Sequence, residues 1–205
     1  MKSKGFLALL IVATLFAQDA SAIPAGGVID ANHSETFNIA TGFAEVDCKV
    51  YKYTSGDYEG KYIYTYQISN IDSGIGLSLS SVGILDGASA EYASYDTIAD
   101  VDPTNWAVIG SPAQSVDALF VNTIGNGQSS ALLWFVSDDA STFGKGMLFG
   151  MSSGIPYYAT VDLLTPVPEP ATLTLFGIGA LITLTKKRRF GYIWGRPIHL
   201  RISDI

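Results

Sequence analysis

The sequence predicts an all-β fold, an antiparallel β-sandwich of jelly-roll-like form, flanked by an N-terminal signal helix and a single C-terminal transmembrane helix. Three observations carry this expectation. From about residue 35 to 164, short β-favouring runs are broken about every ten residues by turn-forming residues, the spacing of a sandwich or barrel. No long amphipathic helical pattern competes in that stretch. At each end lies an uncharged apolar run, residues 6–17 and 171–185, beside basic residues. With 205 residues, 48% of them hydrophobic and 15% charged, the chain has room for one moderate-sized domain and its apolar terminal segments.

At the N-terminus, Lys2 and Lys4 precede the run 6–17, and Ala20-Ser21-Ala22 supplies the small-x-small pattern at which a signal peptidase cuts. The run is short of the roughly 20 apolar residues needed to cross a bilayer. Residues 1–22 therefore read as a cleaved secretory signal, with Ala20 and Ala22 at the cleavage site and Ile23 as the new N-terminus. Residues 23–164 read as the exported β domain.

Within that domain, strands are expected at 35–43, 45–54, 61–70, 76–85, 90–97, 106–110, 116–122, 130–137, 146–150 and 157–163. The breaks are chemically explicit. Ser55-Gly56-Asp57, Asp72-Ser73-Gly74, Asp86-Gly87, Asp102-Pro103, Gly125-Asn126-Gly127 and Ser152-Ser153-Gly154 all tolerate turn geometry. In the third strand, Tyr62, Tyr64, Tyr66 and Ile68 alternate with more varied residues and form one aromatic face. Aromatic rings suit a pleated, half-buried surface, so core or cross-strand packing is the simpler role. An open platform for stacking sugar rings is the alternative, with Trp106 and Trp134 as further candidates; it requires at least two of the rings exposed and coplanar.

Charge narrows the function classes. The ends hold eight of the twelve basic residues and three of the nineteen acidic ones, so the exported body has four lysines against sixteen acids, a net of −12. Lys49, Lys52, Lys61 and Lys145 are too few to neutralise a phosphate backbone, so nucleic acid is not an expected partner. Cys48 is the only cysteine, which excludes a disulfide within the chain. Its alternation with Val46 and Val50 points to a buried small hydrophobe.

His33 is the single histidine ahead of the tail and lies in a polar stretch, as a solvated residue would. The acid pairs Asp57 with Glu59, Asp100 with Asp102, and Asp138 with Asp139 fall in turns, without the facing arrangement that glycoside hydrolysis needs. Calcium would be the best fit for the acids between Asp96 and Asp102, but the Asp-x-Asp-x-Asp-Gly loop is missing. Gly74-Ile75-Gly76 lacks the helix of a phosphate-cradling loop. No catalytic residue, metal site or cofactor is expected, and the chain reads as non-enzymatic.

The segment 165–170 contains three prolines within five residues, which prevent helix and force an extended, stiff spacer. It ends in Pro168-Glu169-Pro170. The uncharged run 171–185 follows; as a helix it reaches about 22 Å, against a hydrocarbon core of about 30 Å. Lys186, Lys187, Arg188 and Arg189 come next, and the positive-inside tendency places them, with the tail to residue 205, in the cytoplasm. The β domain then faces outward, in agreement with the N-terminal signal.

Pro-Glu-Pro, a short apolar helix and an arginine-rich cluster, in that order, resemble the PEP-CTERM sorting signal of exported bacterial proteins. The resemblance covers about residues 167–189. It implies recognition by an exosortase-like membrane enzyme, with Pro168, Glu169 and Pro170 as the sorting motif, 171–185 as a transient membrane span, and Lys186 to Arg189 as the stop-transfer cluster. It also implies an inner-membrane intermediate followed by delivery to the cell surface or the extracellular polysaccharide matrix of a Gram-negative-type bacterium. Members of the family usually end soon after the basic cluster, whereas this chain continues through residues 190–205. The β domain looks like the sandwich domains found ahead of such tails, a likeness that brings no binding residue with it. A plain membrane anchor on a proline-rich stalk, and an anchored carbohydrate-binding module, are the alternative readings.

Overall fold

Turn chemistry cuts the body of the chain into strands that lie back against one another. The computed structural model describes residues 22–97 and 100–168. Among these are the strands β1 (Gly27–Ile39), β2 (Gly42–Tyr53), β3 (Tyr62–Asn70), β4 (Gly76–Gly83), β5 (Glu91–Asp96), β6 (Asn105–Ile109), β7 (Ser115–Ile124), β8 (Gln128–Ser129), β9 (Leu132–Ser137), β10 (Ser141–Ser152) and β11 (Ile155–Pro166). The expected signal helix with Ala20, the transmembrane helix 171–185, Glu169, Pro170 and the cluster Lys186, Lys187, Arg188 and Arg189 lie outside the described residues.

The strands form two antiparallel sheets. One has the order β1-β2-β3-β9-β5, with β8 also paired to β3; the other has the order β11-β10-β4-β7-β6. Their edges meet on both sides, β1 beside β11 and β5 beside β6. The all-β, two-sheet expectation holds, but the connectivity differs from a jelly roll. A jelly roll is built from two Greek keys, whereas here β1-β2-β3 is a meander and β6-β7 and β10-β11 are hairpins within one sheet. Their short turns can join only neighbouring antiparallel strands.

Every expected strand has a counterpart, with two informative shifts. The first hairpin closes at Ala40-Thr41, with Ile39 paired to Gly42, inside the run 35–43 expected as continuous strand. Ala40 takes a positive φ of 52° there, and without Asn or Gly this turn carries no sequence signal. The strand β10 is longer than the expected 146–150 because glycine, a weak strand former, interrupts its pattern. Gly146 is needed for close packing: a methyl group there would run into the Leu163 side chain.

The inner faces of both sheets build one core that includes Phe37, Val46, Leu77, Val116, Phe120 and Leu148. At its centre, Phe135 stacks on Tyr64 with ring centroids 5.1 Å apart and on Tyr66 at 5.9 Å, and meets Trp106 at 6.4 Å. The central strand β3 is buried on both faces. Ile63, pointing the other way from Tyr64, joins Tyr53, Trp134 and Val136 in a smaller outer cluster against which Ile23 and Tyr58 pack. The Tyr53 hydroxyl donates to the Pro24 carbonyl, which ties the segment after the expected cleavage site to this cluster.

Asn70 serves as a buried junction at the end of β3. Its amide donates to the carbonyls of Ile75 (2.7 Å) and Ile124 (2.8 Å), and its carbonyl accepts from the Ser73 amide at 3.2 Å. Asn70→Ala leaves the Ile124 carbonyl and the Ser73 amide without these partners in a site closed to water. The expected loss is on the order of 2–3 kcal/mol, read from chemical denaturation; a loss below about 0.5 kcal/mol would show that water replaces the amide.

Burial also makes the fold sensitive to alkali. Desolvation pushes the Cys48 thiol up to about 12 from 9.0 and holds the Tyr66 and Tyr64 hydroxyls well above their ordinary value of 10.0. The folded chain therefore keeps protons that the unfolded chain releases, and stability must fall as pH rises. The melting temperature is expected to be unaffected by these groups below about pH 9 and to drop steadily from pH 9 to 12. Cys48→Ala should flatten the first part of that decline, and an unchanged melting temperature through pH 11 would refute the assignment.

Candidate functional site

The functional candidate with the most specific residues is the point where the chain leaves the sandwich, at the end of β11. Leu163, Leu164 and Thr165 are buried, and the last strand residue, Pro166, pairs with Ser141 of β10. Two bonds from other strands fasten this end. The Tyr66 hydroxyl donates to the Leu164 carbonyl at 2.6 Å, and the Thr165 hydroxyl donates to the Gly83 carbonyl at 2.6 Å. Just beyond the strand, the Val167 amide donates to the Ala140 carbonyl at 2.9 Å. Pro168 rests over the turn after β4, where a methyl on Gly87 would come within 3.4 Å of its Cγ.

The β9–β10 loop that receives Val167 is itself clamped. The Asp139 carboxylate accepts from the Ser89 amide (2.6 Å) and hydroxyl (2.9 Å), and the Asp139 carbonyl accepts from the Tyr64 hydroxyl at 2.9 Å. The Asp138 amide donates to the Ser89 hydroxyl at 2.8 Å, and the Ser137 hydroxyl donates to the Ser89 carbonyl at 2.8 Å. From outside, the Lys61 ammonium bridges Glu91 at 2.7 Å and Asp138 at 3.2 Å. Its hydrogen bonds to Glu91, then Asp138, raise its pKa. A buried tyrosine hydroxyl needs a partner, and in both Tyr64 and Tyr66 that partner lies on the exit path. The end of β11 is thus fastened to the sandwich up to Val167.

The sequence-derived candidates fall in several places. Tyr64 and Tyr66 are core residues, 0% and 2% exposed, while Tyr62 is only partly buried against that core. Trp106 and Trp134 are each 1% exposed. The open sugar-stacking platform proposed for Tyr62, Tyr64 and Tyr66 is therefore corrected to core packing, because the second sheet covers this face. Asp138 and Asp139 are members of the clamp. Asp100 accepts the Ser129 amide at 3.0 Å and holds a loop. Cys48 is buried against Leu164. Among the described residues, no group of three or more His, Cys, Asp or Glu side chains is placed to hold a metal ion. Of the expected sorting residues, Pro168 alone is described, and Ala22 is exposed at the start of the described chain.

Ser89, Ala140 and Thr165 were not legible as exit-site residues. Their roles depend on contacts between segments 27 to 82 residues apart, and a loop serine or alanine or a strand threonine carries no distinguishing pattern. No curated protein matches the chain. Residues 166–189 match the family described as the PEP-CTERM protein-sorting motif, beginning at the last residue of β11, so the chain carries a PEP-CTERM sorting signal issuing directly from its folded β domain.

Proposed function

We propose that this is an exported, non-enzymatic bacterial protein whose β-sandwich is delivered by an N-terminal signal, held by its C-terminal apolar helix, and released by an exosortase-like enzyme to the cell surface or extracellular matrix. The observation that carries the reading is the sorting-motif match over residues 166–189. A PEP-CTERM signal supports export and surface sorting through an exosortase. The anchored exit adds a physical reason for the order of parts. With Val167 bonded to Ala140 and Pro168 lying over Gly87, a cut beyond Pro168 leaves every strand and its hydrogen bonds in place. The released domain keeps its stability.

Intact-mass measurement of surface material tests this reading. The expected mature form begins at Ile23 and lacks Lys186, Lys187, Arg188 and Arg189. Surface material that retains the basic cluster would overturn release and favour a permanent anchor.

A further inference from the structure

A groove of about 470 Å³ runs along the seam where β1 of one sheet meets β10 and β11 of the other. It is lined by His33, Glu35, Phe143, Lys145, Thr160 and Asp162, none of which takes part in the exit site. Phe143 is 56% exposed, so its ring is open to solvent. Its ring is nevertheless held in place: the His33 ring meets it edge-on, with centroids 4.9 Å apart and planes at 80°. His33 in turn lies 2.9 Å from the Glu35 carboxylate. Further along the groove, the Lys145 ammonium pairs with Asp162 at 2.6 Å.

The charges decide the ligand class. An anion would face Glu35 and Asp162 on a body that already carries −12, and a cation would have to displace His33 from Glu35 or Lys145 from Asp162. An uncharged, hydroxyl-rich molecule meets neither penalty. Its hydroxyls can donate to the free lone pairs of both carboxylates and accept from the Lys145 ammonium and the Thr160 hydroxyl. Its C–H face can cover the exposed ring of Phe143. The groove also lies within the size range of small-molecule sites, about 300–1,000 Å³. We propose that this groove binds a neutral saccharide, stacked on Phe143 and oriented by Glu35, Asp162, Lys145 and Thr160. The proposal stands apart from the sorting reading: Phe143 pairs with Leu164 in the β10–β11 ladder, but none of these side chains makes the bonds of Leu164, Thr165 and Val167 that fasten the exit.

The test is calorimetric titration of the full chain, in a detergent without a sugar headgroup, with neutral tetrasaccharides of glucose, mannose and galactose and with tetragalacturonate as the anionic comparator. At least one neutral tetrasaccharide is expected to bind and tetragalacturonate not to bind. Phe143→Ala should weaken the binding by about tenfold or more, corresponding to about 1.4 kcal/mol. Glu35→Gln and Asp162→Asn should each weaken it several-fold. Tyr158→Ala, at a ring 74% exposed elsewhere on β11, should leave it unchanged. Because Phe143 is exposed, its variant should melt within a few degrees of the parent. The proposal is overturned if no neutral tetrasaccharide binds, if tetragalacturonate binds better, or if Phe143→Ala binds as the parent does.

Discussion

Replacing Pro168, Glu169 and Pro170 together by alanine is expected to leave the chain at full length in the membrane fraction, with little material at the surface. A residue between two prolines is expected in extended backbone, and the expected recognition pairs the Glu169 carboxylate with a cation of the processing enzyme. Alanine removes that charge and also removes the proline barrier to helix ahead of the apolar run 171–185. Loss of one charge-assisted hydrogen bond costs about 1.5–3 kcal/mol, which corresponds to about one to two orders of magnitude in recognition. Glu169→Gln separates the two effects: it keeps the shape, removes the charge, and should show most of the defect. The domain itself should be unaffected, since the bonds of Leu164, Thr165 and Val167 all precede the substituted tripeptide. Normal surface delivery of the triple variant, with the tail removed, would refute the role of the motif.

Phe135→Ala is expected to destabilise the sandwich by about 3–5 kcal/mol, a large share of the 5–15 kcal/mol typical of a single domain. Phe135 is fully buried and contacts three large rings at once: Tyr64 in a stack only 5° from parallel, Tyr66 at 14°, and Trp106 at 49°. Truncation removes the apolar area of one ring, opens a cavity, and deletes aromatic contacts worth about 0.5–1.5 kcal/mol for each pair. Phe135→Leu, which refills much of the space, should cost less. Urea unfolding measures both variants. A loss below about 1 kcal/mol for Phe135→Ala would mean that the surrounding rings collapse into the space. Because Tyr64 and Tyr66 also fasten the exit loop and strand β11, the alanine variant should increase hydrogen exchange at Leu164 and Val167 before it unfolds the domain.

Local chemistry accounts for what could be read in advance. The turns at Asp72-Ser73-Gly74, Gly125-Asn126-Gly127 and Ser152-Ser153-Gly154 lie where the strands end, because their residues relieve backbone strain over a few bonds. The alternation around Cys48 placed it correctly in the core. Where the local signal is weak, the reading failed. The Ala40-Thr41 turn has no glycine or asparagine, the two-residue strand β8 is too short to show a period, and β10 is masked by its own glycines.

The sequence by itself determined the all-β class, the approximate strands, the acidic body and the sorting signal, since composition, turn chemistry and a linear motif are encoded in neighbouring residues. Only the tertiary structure decided that the tyrosine face of β3 is core, that both tryptophans ahead of the signal are buried, that hairpins replace jelly-roll connectivity, and that Ser89, Asp139, Ala140 and Thr165 converge on the exit of the signal. Alternation shows that a strand has two faces. Which face is covered depends on the partner sheet, and that sheet is assembled from segments far apart in the chain.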